Sequence, residues 1–192
     1  MQRTAADSAV RERILDTAAR LFYAHGVRAI GVDRVVREAE VAKASLYAHF
    51  RSKNELVEAY LRREAERSYA DMGRVEAMAE AGPGRIEALF DSAAASADAA
   101  DYQGCCFLNV AAERLDAKSR AADVVAEQKG RLLAHIEASV VRATPAERAE
   151  VARVILALFD GAKVASVDEG GAAFVRVKPL AAALAAAPLA NS

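Results

Sequence analysis

Three observations predict an all-α protein. The 192 residues are rich in Ala and contain no Trp, a composition that favours helices over strands. Apolar residues recur three and four apart along most of the chain instead of alternating, which is the helical period. The breaks are sharp and few: Gly26, Gly82-Pro83-Gly84 and Gly170-Gly171. With the shorter turns between them, the chain reads as about nine helices. A hydrophobic fraction of 54% is enough for a real core.

In order, residues 1 to about 8 read as an arm. The first helix runs from about Ser8 to His25, with Val10, Ile14, Leu15, Ala18, Leu21 and Phe22 on one stripe and Gly26 as its stop. Two short helices follow. Val32 to Ala39 carries Val32, Val35, Val36 and Ala39 on its apolar side, and Lys43 to about Phe50 carries Leu46 and Phe50. The turn between them is Glu40-Val41-Ala42. Two short helices joined by such a turn form a helix-turn-helix, whose second helix enters the DNA major groove. This spacing leaves Lys43, Ser45, Tyr47 and His49 facing outward, groups able to reach phosphates or base edges. An ordinary helical hairpin in a core would show the same spacing.

Ser52-Lys53-Asn54-Glu55 has the form of a capping box and opens a long helix to Met72 or beyond. Pro83 suits the first position of the next helix, which reaches about Ala100. After a loop from Asp101 to Gly104, helices are expected over Cys105 to Asp116 and Ala117 to Arg142. Thr144-Pro145-Ala146-Glu147 is a second capping box and starts a helix to about Val167. The last helix spans about Ala172 to Ala187 and is expected to be kinked or delayed by Pro179.

The wording of the first third is specific. Phe22-Tyr23-Ala24-His25-Gly26, then Val41 to Phe50 (VAKASLYAHF), then Ser52-Lys53-Asn54-Glu55-Leu56 occur in order. Over roughly Val10 to Leu61 the chain closely resembles the TetR family of bacterial transcriptional regulators. The rest resembles that family only in length and helical character. The resemblance implies a three-helix DNA-binding domain (1-52) joined to a larger helical ligand-binding and dimerisation domain (53-192). It also implies a homodimeric repressor that binds a palindromic double-stranded operator and is released by a small-molecule inducer. The DNA-facing set it implies is Lys43, Ala44, Ser45, Tyr47, His49 and Lys53, with Lys53 on a phosphate. Two departures stand out. Glu40 occupies a turn position where the family usually has Gly, and Gly31 and Ala42 replace the Ser or Thr that often precede the two helices. A non-Gly residue in a left-handed turn costs roughly 1 kcal/mol, and Ala is a poor N-cap.

Charge is distributed accordingly. The net charge is −1, but residues 1 to 63 hold 12 Lys/Arg against 8 Asp/Glu, whereas the remainder is acidic. A basic head on an acidic body fits DNA reading. Asp7, Glu12 and Asp16 interrupt any apolar run at the start, so no signal peptide is expected. No uncharged apolar run reaches the ~18 residues of a membrane span. Cytoplasmic location is the expectation.

Catalytic, cofactor and metal chemistry find little support. The only histidines are His25, His49 and His135, and no phosphate loop or nucleophile elbow occurs. Cys105 and Cys106 are adjacent, near a helix start that favours a thiolate, so a thiol-sensing regulator is an alternative; small apolar fillers are the plainer reading. A helical enzyme or ligand carrier that has lost DNA binding is the alternative from another class. Phe107, Asn109, Glu113 and Gln128 are candidates to line a ligand cavity. Val151, Ile155, Leu158, Phe159 and Ala162 form a broad apolar stripe expected to face a second copy of the chain.

Overall fold

A computed structural model describes residues 5–113, 119–142 and 144–186. Every regular element among them is a helix: α1 (Ala5–His25), α2 (Val32–Glu38), α3 (Lys43–His49), α4 (Lys53–Met78), α5 (Pro83–Ala97), α6 (Cys106–Ala112), α7 (Arg120–Glu137), α8 (Pro145–Glu169) and α9 (Ala172–Ala186). The junction expected at Asp116-Ala117 lies outside the described residues.

The chain divides into two compact units, residues 1–66 with 106–126, and residues 67–105 with 127–192. The boundary expected at 52/53 therefore differs from the observed division. The first half of α4 belongs with the helix-turn-helix because Leu56, Val57, Tyr60 and Leu61 are buried there. The rings of Phe22 and Tyr60 lie 5.8 Å apart. In this unit α1 ends at Gly26, whose φ of 82° needs no Cβ. Its N–H bonds to the Phe22 carbonyl at 2.9 Å.

The second unit is built around Phe90, Phe159 and Phe174, whose ring centroids are 4.9, 5.5 and 6.4 Å apart. These edge-on and tilted aromatic contacts join α5, α8 and α9. The capping box at the start of α8 is complete: Glu147 N–H donates to Thr144 Oγ1 at 3.2 Å, and Thr144 N–H to Glu147 Oε2 at 3.0 Å. The box before α4 differs from expectation. Ser52 Oγ accepts from Glu55 N–H at 3.2 Å, but the Glu55 carboxylate takes the N–H of Arg51 at 2.8 Å, one residue earlier. Pro179 neither delays nor ends α9, which runs through it.

Candidate nucleic-acid interface

The surface expected to read DNA is α3. Leu46 and Phe50 are buried, and so are Val35 and Ala39 on the preceding segment. With the apolar side turned into the unit, the opposite side of α3 presents Lys43, Ala44, Tyr47 and Ala48, all exposed. At 100° per residue these four fall on one face. Tyr47 is 44% exposed. Lys43 Nζ lies 2.7 Å from Asp33 Oδ1, a solvent-exposed pair that raises the lysine pKa through hydrogen bonding and charge. Ser45 is half-buried.

His49 departs from expectation. Its side chain is 6% exposed, with Nε2 3.4 Å from Asp7 Oδ1. It follows Leu46 by three residues and precedes Phe50, so the helical turn carries it to the inner side. Lys53 is half-buried at the start of α4, where desolvation lowers its pKa and the charge of Glu113 opposes the shift. Two exposed residues escaped the sequence reading: Ala48, one turn after Ala44, and Arg51, just past the end of α3. The four-residue spacing from Ala44 was a signal for the first; nothing marked the second.

The turn and its supports are polar. Glu40 has φ 53°, the left-handed position its place in the motif suggested. Neither Gly31 nor Ala42 makes a side-chain cap bond. Glu38 accepts from Arg34 Nε and Arg20 Nη2, each at 2.8 Å. The Arg34 hydrogen bond, then that of Arg20, pull its carboxyl from 4.5 to about 2.

The ligand-lining candidates are not gathered into one site. Phe107 is buried and Asn109 exposed, both on α6. The carboxylate of Glu113 is taken by backbone amides, accepting from Val27 N–H at 2.7 Å and Arg28 N–H at 2.6 Å. Gln128 belongs to the other unit, where it is 5% exposed and its Nε2 donates to Ser68 Oγ at 3.2 Å. Two turns further along α7 is His135, also buried, with Nδ1 2.9 Å from Glu76 Oε1 and Nε2 unpartnered. Its spacing of seven from Gln128 was the available signal for a shared polar stripe.

Four of the five residues expected to meet a second copy are spent inside their own unit. Val151, Ile155, Phe159 and Ala162 are buried in its core, and Leu158 packs against it half-buried. The other side of α8 carries exposed Val154, Val164 and Val167, and α9 exposes Val175 and Leu180. The stripe was read correctly as apolar, but α5 and α9 cover it.

Cys105 and Cys106 are both half-buried, and neither is in a disulfide. Burial raises the pKa of the Tyr60 phenol, and its neighbour Cys106 adds to the shift. Among the described residues no group of three or more His, Cys, Asp or Glu is placed to hold a metal ion, and no helix is long and apolar enough to cross a membrane.

A helix-turn-helix whose second helix turns an exposed polar and small-residue face outward, followed by a larger helical unit, defines a class of transcriptional regulators. Residues 14–60 match the family described as bacterial regulatory proteins, tetR family. A TetR-family transcriptional regulator from Streptomyces coelicolor superposes with a TM-score of 0.85 at 27% identity, covering 94% of this chain and 97% of that one. A protein described as a TetR transcriptional regulator from Streptomyces avermitilis is 33% identical over 91% of this chain and 95% of its own, with a TM-score of 0.75. The HTH-type transcriptional regulator SrpR of Pseudomonas putida is 38% identical over 61 residues, 31% of this chain. The two curated relatives are matched over only 29% and 46% of their lengths. The chain belongs to the TetR family and is a transcriptional regulator.

Proposed function

We propose that this regulator works in the cytoplasm as a homodimeric repressor, reading a palindromic operator through α3 and leaving it when a small molecule binds the helical body. The observation that carries the reading is the exposed face of α3, with Lys43, Ala44 and Tyr47 presented together while Leu46 and Phe50 anchor the helix. Lys43 and Tyr47 contact DNA; Ala44 gives close approach to the groove; Lys53 serves a phosphate. Ser45, half-buried, reaches only the edge of this surface, and His49 supports α3 from behind.

A single head makes few contacts, so two are needed, and their recognition helices must reach successive major grooves roughly 34–36 Å apart. The exposed faces of α8 and α9, with Val154, Val164, Val167, Val175 and Leu180, supply the apolar surface for pairing. Release by a ligand requires that it bind the two states of the dimer with different affinity.

The test begins with DNA fragments selected from a random pool by the purified protein. On the selected sequence, Lys43→Ala, Tyr47→Ala and Lys53→Ala weaken binding, and each lost phosphate contact lowers the salt slope by about 1. Unchanged affinity in all three variants at two salt concentrations would sink this reading.

A further inference from the structure

The corner between α1 and α2 is held by a carboxylate from far along the chain. Past Gly26, the two amides of Val27 and Arg28 converge on Glu113, at 2.7 Å to Oε1 and 2.6 Å to Oε2. Successive backbone N–H groups after a left-handed residue form a concave seat for an anion. Gly26 shapes that seat twice over. Its φ of 82° turns the chain, and a Cβ at this position would stand 3.0 Å from Glu113 Oε1. Charge-assisted bonds of this length are about twice as strong as neutral ones.

Both sides of the contact are fixed. Val27 and Ile30 are buried in the head, so the corner cannot drift from its core. Glu113 extends α6, its N–H bonding to the Asn109 carbonyl at 3.2 Å, and α6 is anchored by buried Phe107 and Val110. Immediately after this corner α2 begins, and α2 with its turn sets the direction of α3. A small rotation at Val27 and Arg28 therefore moves the face that carries Lys43 and Tyr47.

We propose that Glu113 is a positioning residue for DNA recognition, holding the α1–α2 corner so that α3 presents its face in register with base edges. The proposal rests on the reading of α3 as the DNA-contacting helix. Glu113 acts on α3 through the Val27 and Arg28 amides; its charge also bears on Lys53, an effect that Glu113→Asp retains. A mere structural brace would affect all DNA binding and stability together. A positioning group affects discrimination, because contacts to phosphates tolerate a displaced helix and base-edge contacts do not.

Glu113→Gln tests this in the full chain, since it keeps the shape but aims an NH2 donor at one of the two amides. Hydrogen exchange at Val27 and Arg28 is expected to accelerate by at least about tenfold. Affinity for the selected operator should fall about tenfold, while affinity for a random duplex of equal length stays within about twofold. Glu113→Asp, which retains the charge but reaches one amide at most, should lie between, and Glu87→Gln, at an exposed position of α5, should match wild type. Faster exchange with an unchanged ratio of specific to random binding overturns the proposal. So does a parallel loss of both affinities with the melting temperature. Wild-type protein that prefers no sequence overturns the DNA-reading surface too, whereas intact preference in Glu113→Gln overturns this proposal alone.

Discussion

Glu40 stands where the backbone turns left-handed, at φ 53°, between the two helices of the motif. A side chain there crowds the following carbonyl, a strain of roughly 1–2 kcal/mol partly offset by the lower entropy loss of a non-Gly residue. Glu40→Gly should raise stability by about 0.5–1 kcal/mol in urea unfolding. A loss of stability would show that Glu40 makes a compensating contact. Glu38 ties the stability of the head to pH. Its carboxyl is drawn to about 2 by the hydrogen bonds of Arg34 and Arg20. A depressed folded pKa adds stability that is present above the unfolded value of 4.5 and is lost as pH falls through about 2. Glu38→Gln should therefore lower the melting temperature at pH 7, and the gap to wild type should close between pH 4.5 and 2. High salt should shrink it, because the side chain is 27% exposed. A gap that persists at pH 2 would contradict the assignment.

Helix ends follow the same capping rule with opposite outcomes. At Thr144 the rule is met, with both reciprocal bonds of the box formed. At Ala42 it is not, and α3 starts with no side-chain cap bond. A helix of two turns with a poor cap does not stand alone. It is held by Leu46 and Phe50 in the core beneath it. Thr144→Ala should cost about 1 kcal/mol, and Ala42→Ser, at an exposed position with extended backbone, should gain about 0.5–1 kcal/mol. Chemical denaturation of both variants checks the pair. Equal effects of the same sign would mean that tertiary contacts, not capping, govern these ends.

Across the whole molecule, the two sides of α8 have different duties. Phe159 sits in the aromatic cluster with Phe90 and Phe174, so Phe159→Arg places an unpaired charge in a core and should unfold the second unit. Val164 is 66% exposed, so Val164→Arg should leave the fold intact. If the exposed valines of α8 and α9 join two copies, Val164→Arg should also yield a folded monomer with little operator affinity, since a linked pair of heads gains about 10²–10⁴ in avidity. Light scattering with circular dichroism separates the cases. A folded Val164→Arg dimer with normal operator binding would move the interface elsewhere.

Much was legible locally. Gly26, the Pro83 and Thr144 starts and the Gly170-Gly171 break each act within a few residues through backbone conformation and capping, so they mark helix ends without knowledge of the fold. The motif from Val32 to Phe50 was likewise readable, because Val35, Leu46 and Phe50 announce a buried side by their spacing. Which surface covers an apolar stripe was not. The stripe of Val151, Ile155 and Phe159 meets α5 and α9 of its own chain, and periodicity cannot tell that partner from a second copy. The inward turn of His49 toward Asp7 and the capture of Glu113 by Val27 and Arg28 depend on chain segments 42 and about 86 residues away. Sequence spacing reports the direction of a side chain around its own helix. The group waiting on that side is set by tertiary packing.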